Sequence, residues 1–248
     1  MSQLPPVHII YEDQSVLVID KPAGVVIHPA YKHPDDTLFD AVVAYLAGQG
    51  EMRPCLLHRL DKDTSGVVIL AKTLAARRAL VRQFERRTVQ KRYLALVAGP
   101  IPSATEWEIN APLRRLPEDR RRTRVDPLGQ TAITRIRVLV SAAGYALLLL
   151  TPVTGRTHQL RAHLAYAGYP IVGDPVYGTE VTAGLAPRHM LHAVLLGIQM
   201  PGCGDYREFT SPVPDDMIQA LWALLPEAVA TLPQIMQHIH AAPTERKL

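Results

Sequence analysis

The sequence predicts an α+β fold with a mixed, mainly antiparallel sheet core and flanking helices. Three observations carry this prediction. Short apolar, β-branched runs recur along the chain, several are joined by Pro/Gly turns of hairpin type, and stretches with apolar residues at helical spacing fall between them.

In chain order, residues 15–20 (SVLVID) read as a buried strand, turned by Lys21-Pro22-Ala23-Gly24 into a second strand over 25–27. Residues 37–47 carry Leu38, Ala41, Val42, Tyr45 and Leu46 at helical spacing, with Asp36 or Thr37 as cap and Gly48 as terminator. Residues 55–57 and 66–70 are two short strands. The helix over 73–87 turns Leu74, Ala75, Leu80, Val81 and Phe84 inward and Arg77, Arg78, Arg82, Glu85, Arg86 and Arg87 outward. Strand character returns over 89–97, and 131–140 with 145–151 form an antiparallel pair around Ala143-Gly144. A helix over 157–167 ends at Gly168, strands 192–200 and 207–210 flank Pro201-Gly202, and 215–225 is the last helix.

The most loop-like region is 112–129, with three prolines and six arginines between Arg114 and Arg124. No Gly/Ser linker marks a boundary, so 10–225 is expected to be one catalytic body, with an extension over 1–9 and a partly flexible tail over 226–248. An apolar content of 48% with 20% charged residues is globular composition, and a net charge of +4 matters if it gathers on one face. Cys55 and Cys203 are too few for a disulfide framework or a cysteine zinc site. The N-terminus lacks a signal-peptide pattern, and no apolar run approaches the length of a membrane span. The expectation is a soluble, cytoplasmic protein, with a monomer as the default.

Three segments carry candidate chemistry. His58-Arg59-Leu60-Asp61-Lys62-Asp63-Thr64-Ser65-Gly66 sets a carboxylate, Asp61, on a turn held between two strands, a rigid mount for a reactive group. A surface turn whose charges pair or hydrate fits those nine residues equally well. Gly155-Arg156 delivers a guanidinium just before a helix start, which suits a carboxylate or phosphate; the alternative is a loop cation. In Gln90-Lys91-Arg92-Tyr93, alternation sends Lys91 and Tyr93 to one face, so Tyr93 is a base-stacking or hydroxyl group, or a core tyrosine. His158 and His163, five apart with no third ligand nearby, make a poor zinc pair, and no metal is expected.

Together with Asp20-Lys21-Pro22-Ala23-Gly24, Gly155-Arg156-Thr157-His158-Gln159-Leu160-Arg161, Gly168-Tyr169-Pro170-Ile171-Val172-Gly173-Asp174 and Tyr177-Gly178, these segments resemble the RluA-type RNA pseudouridine synthases, over about residues 10–212. The resemblance implies the pseudouridine synthase fold and the isomerisation of uridine to pseudouridine in rRNA or tRNA, with RNA as partner and no cofactor. It implies Asp61 as the essential aspartate, Tyr93 as the active-site tyrosine and Arg156 as the cation that pairs with the aspartate. Arg59 would help hold the flipped base and Leu160 would wall the uracil, with His58, Lys91 and Arg161 also toward substrate. Many such enzymes carry an N-terminal S4-like domain, which is not expected here.

Two other readings stay open at this point. A non-catalytic RNA-binding module explains the basic segments, and an N-glycosidic hydrolase explains a carboxylate. The hydrolase wants a second carboxylate, and Asp63 is the only one close in sequence.

Overall fold

The structure, a computed structural model, describes residues 4–29, 35–48, 54–103, 105–117, 119 and 122–241. In chain order it runs β1 (His8–Glu12), β2 (Val16–Lys21), α1 (Leu38–Ala47), β3 (Cys55–Leu56), β4 (Ser65–Ala71), α2 (Leu74–Glu85), β5 (Gln90–Ala98), β6 (Glu106–Asn110), β7 (Leu113–Arg115) and β8 (Thr123–Val125). There follow β9 (Ile133–Ala142), β10 (Tyr145–Pro152), α3 (Gln159–Tyr166), α4 (Glu180–Ala183), β11 (Leu191–Gln199), β12 (Tyr206–Thr210), α5 (Asp215–Leu224) and α6 (Pro226–Ala241). Sheets that are mainly antiparallel, with helices, make this the α+β fold read from the sequence. No helix among the described residues is long and apolar enough to cross a membrane.

The contacts divide the chain into two compact units. One comprises Met1–Tyr93, Val153–His158 and Leu191–Val213, the other Leu94–Pro152, Gln159–Met190 and Pro214–Leu248. The chain passes from the first to the second inside β5, a continuous strand, so no flexible linker appears in the sequence.

In the first unit the strand order is β1-β2-β4-β11, with β3 on β4 and β12 on β11. All these pairings are antiparallel except β4 with β11, where His192 faces Ser65 and Ala193 faces Gly66. Every residue of β4 is buried. The two-residue period of a strand therefore feeds two cores. Val16, Val18, Val67 and Ile69 pack with Ala76 and Leu80 of α2. Leu17, Ile19, Val68 and Leu70 pack with Leu38, Val42 and Leu46 of α1. Thr37 and Asp40 close a reciprocal capping box on α1, and Thr73 caps α2 by accepting from the Ala76 N–H.

In the second unit β10 and β6 flank β9, both antiparallel to it, and β7 pairs antiparallel with β8. Arg161 binds Asp174 through Nε and Nη2, at 2.7 and 2.8 Å, and Asp174 also accepts the Val176 and Tyr177 N–H groups. Arg188 grips Asp216 of α5 in the same two-pronged way.

Several elements differ from the sequence reading, each for a local reason. Residues 25–27 are not a strand, because their carbonyls are taken elsewhere: Val25 by the Lys21 ammonium, Val26 and Ile27 by the first N–H groups of α1. The hairpin partner of β2 is β1, which begins at His8. On α2 the cap at Thr73 phases the helix so that Ala76, Leu80 and Phe84 point inward, leaving Leu74 70% exposed and Ala75 exposed. The arginine-rich region holds the β7/β8 hairpin, with Arg114 opposite Arg124; Glu118, Arg120 and Arg121 lie outside the described residues. Residues 226–241 form α6, on which Ala228, Ile235 and Ile239 are buried at helical spacing; 242–248 lie outside the described residues. The short β6 and α4 carry too little periodicity to be read from sequence.

Candidate active site

Asp61 heads a tight turn whose Thr64 N–H donates to the Asp61 carbonyl at 3.1 Å, and β4 starts one residue later. Two anchors hold this turn. The first is Lys21, a wholly buried lysine whose Nζ donates to the carbonyls of Pro22 (2.8 Å), Val25 (2.9 Å) and Lys62 (2.8 Å). A buried ammonium is tolerated only when its protons are all met, and here the carbonyls of two loops meet them.

The second anchor is a buried relay. The Ser65 hydroxyl hydrogen-bonds Nδ1 of His192 at 2.9 Å, His192 Nε2–H donates to the Ser211 carbonyl at 3.3 Å, and the Ser211 hydroxyl donates to Asp20 Oδ1 at 2.6 Å. A carbonyl can only accept, so Nε2 carries a proton. Gly66 lets the relay close. Its φ of +116° lies in the region that favours glycine, and a Cβ there would stand 2.7 Å from the Ala193 carbonyl carbon and backbone nitrogen.

The first unit holds Asp61 and most of the other residues read from the sequence. Tyr93 is partly buried against the Leu60 and Ala193 core, and burial together with the nearby Asp61 charge pushes its hydroxyl well above the usual phenol range. It stays a neutral phenol at any physiological pH. Lys91 is depressed by burial and then by Arg87, and a side chain on Gly155 would come within 3.8 Å of its Nζ. Arg59 is exposed on the loop, and Arg156 is half-buried one residue after Gly155.

His58 lies behind the loop. Its ring stacks on Phe84 at 5.2 Å, and Nε2 accepts the Ile69 N–H at 3.1 Å. Burial, and secondarily Lys91, pull it down to about 3. The unfolded chain, with an imidazole near 6.5, therefore takes up a proton that the folded chain refuses. Stability from this group is fully present above about pH 6.5 and is lost as the pH falls toward about 3, at no more than about 1.4 kcal/mol per pH unit. Urea melts between about pH 7 and 4 should show that slope, and His58→Asn should flatten it; an unchanged slope in the variant would refute the assignment.

The residue missed by the sequence reading is His158. Its Nε2 stands 3.7 Å from Asp61 Oδ2, both side chains largely shielded, and its backbone has φ +52°. A non-glycine residue with positive φ marks a backbone held in place by its surroundings. It stands inside the 155–161 segment, but nothing there announces its contact with Asp61, which spans nearly a hundred residues. α3 begins at Gln159 rather than 157, so Arg156 is on the loop ahead of it.

Leu160 and Arg161 belong to the second unit. Leu160 is buried there, and the Arg161 guanidinium is engaged with Asp174, its Cζ 5.1 Å from the centroid of the Tyr177 ring. That geometry makes Arg161 an organiser of its own fold. Among the described residues no cluster of three or more His, Cys, Asp or Glu could hold a metal ion.

Set against known proteins, residues 15–166 match the RNA pseudouridylate synthase family. The chain is 47% identical over 201 residues to an "Uncharacterized RNA pseudouridine synthase" of Chloroflexus aurantiacus, covering 80% of this chain but only 63% of that protein's length. It is 40% identical to the "Ribosomal large subunit pseudouridine synthase D" of Pseudomonas aeruginosa, covering 87% of this chain and 70% of the other. Among solved structures, "Human RNA Pseudouridylate Synthase Domain Containing 1" superposes with a TM-score of 0.74 at 29% identity, over 97% of each chain.

Proposed function

The chain belongs to the RNA pseudouridylate synthase family, and on that premise we propose that it isomerises uridine to pseudouridine in large-subunit ribosomal RNA, with Asp61 as the essential group. The observation that carries the reading is the Asp61 turn, pinned by Lys21 and by the Ser65-His192-Ser211-Asp20 relay beside a neutral Tyr93. A decorative surface carboxylate needs no such mount. The ribosomal target follows the names borne by the Pseudomonas and other relatives.

The reaction breaks the N1–C1′ bond, turns the uracil within the site and forms C5–C1′. The C5 proton leaves and N1 gains one, so the change is an isomerisation with no redox partner. Asp61 attacks C1′ or removes the 2′ proton, and both roles require the charged carboxylate. His158 at 3.7 Å and the half-buried Arg156 are the groups to orient and balance that charge. The phenol of Tyr93 is too weak an acid to stand ionised, so it acts as a relay, giving up its own proton as it takes the one from C5. Reaching C1′ requires the uridine to leave its stack, at about a few kcal/mol, and Arg59, exposed on the loop, is the group assigned to help hold the base flipped out.

The test is tritium release from C5-tritiated uridine in transcribed large-subunit rRNA, with free uracil measured in parallel. Release without free uracil supports the isomerase, free uracil supports a hydrolase, and neither supports a binding module. In the same assay Tyr93→Phe should slow single-turnover release by about 10²–10⁴-fold, the worth of a positioned acid–base group. Near-normal release would leave only the ring with a role.

A further inference from the structure

The outward face of α2 holds arginines that the rest of the fold does not use. Arg77, Arg78, Arg82, Arg86 and Arg87 are all exposed, and none has an ion pair among the described residues. Six arginines elsewhere are matched: Arg161 with Asp174, Arg188 with Asp216, Arg135 with Glu108, Arg137 with Glu106, and Arg114 and Arg124 with Asp126. Helix electrostatics do not account for the difference. Cations favour the last turn, yet Arg77 and Arg78 sit near the start, where the first turn carries no acid.

The arginines are also ordered. Arg78, Arg82 and Arg86 follow at four-residue intervals, so they line one stripe about 6 Å apart. The opposite stripe, Ala76, Leu80 and Phe84, packs into the core, and the Phe84 ring stacks on His58, three residues before Asp61. The cationic stripe is thus rigidly referenced to the candidate catalytic loop within one unit. Arg87, at φ +55° just past the helix, continues it to Lys91, which is depressed by burial and by that arginine, as happens when like charges are held together.

The geometry points to the outer face of α2 as the track for the phosphates of one RNA strand, Arg78, Arg82 and Arg86 each meeting a phosphate and Arg87 with Lys91 leading the strand to the Asp61 turn. This rests on the reading that the substrate is RNA, since only a polyanion with regular charge spacing matches a regular row of unpaired cations. Arg114 and Arg124 of the β7/β8 hairpin, whose charge Asp126 partly offsets, make no comparable row.

The test measures anisotropy of a fluorescein-labelled RNA stem-loop of about 30 nucleotides across a KCl series. Arg78→Gln/Arg82→Gln/Arg86→Gln should lower the slope of log K against log salt by about 2 and weaken binding about a hundredfold near 50 mM KCl. The corresponding triple lysine variant should retain most of the slope. Arg114→Gln/Arg124→Gln/Arg135→Gln removes the same charge elsewhere and should change the slope little. An unchanged slope in the α2 glutamine variant, or an equal loss in the control, overturns the track. Far-UV melting of each variant separates lost contacts from lost fold. The track and the catalytic reading fail separately: slope loss without tritium release from any RNA keeps the track and removes the isomerase.

Discussion

Asp61→Asn is expected to abolish pseudouridine formation, by on the order of 10⁴-fold or more, while RNA binding stays within a few-fold of the original. The substitution is a clean one. The turn is closed by the Asp61 backbone carbonyl, not its side chain, so Thr64 still donates to it. Lys21 still holds the Lys62 carbonyl, and Ser65 still reaches His192. What disappears is the negative charge facing His158 and Tyr93. A neutral amide can neither attack C1′ nor take a 2′ proton, and removing an anion from a surface that binds a polyanion gives no reason for weaker binding. Appreciable tritium release by purified Asp61→Asn or Asp61→Ala protein would refute the central assignment.

Gly66→Ala should be the most damaging single methyl in the first unit. It forces a φ of +116° on an L residue and drives a Cβ into the backbone of Ala193, which faces Gly66 across the parallel β4/β11 pair. Neither strand can yield easily, because β4 is buried along its whole length and its neighbours fill two cores. Backbone strain and overpacking together give an expected loss of about 3–5 kcal/mol, read as a shifted midpoint in urea unfolding. What folds should also lose activity, since Ser65 and the Asp61 turn move with Gly66. Ser65→Ala is the milder companion, removing the hydroxyl bond to His192 without a clash, at about 1–3 kcal/mol. Wild-type stability in Gly66→Ala would show that the two strands are not locked as described.

The sequence by itself determined the fold class and the main elements of the first unit. Their signals are local: the period of two in β2 and β4, the capping residues Thr37 and Thr73, and the helical spacing of Leu38, Val42 and Leu46. It also singled out Asp61, because a charged turn between two short apolar strands is visible in nine consecutive residues.

Only the tertiary structure decided what holds that turn. The Lys21 to Lys62, Ser65 to His192 and Ser211 to Asp20 bonds span 41, 127 and 191 positions. No pattern in one segment can report where a distant segment will place a carbonyl or a ring nitrogen. The same reason separates His158 from Arg161: they lie in one motif, three residues apart, yet one faces Asp61 and the other is spread over Asp174 and Tyr177. The helix stripe of arginines was legible as exposed, but that these cations form no ion pair among the described residues, even with Glu85 on the same helix, while others do, could be learned only from packing. Local periodicity fixes which way a side chain points on its own element; what it meets there depends on residues brought in from far along the chain.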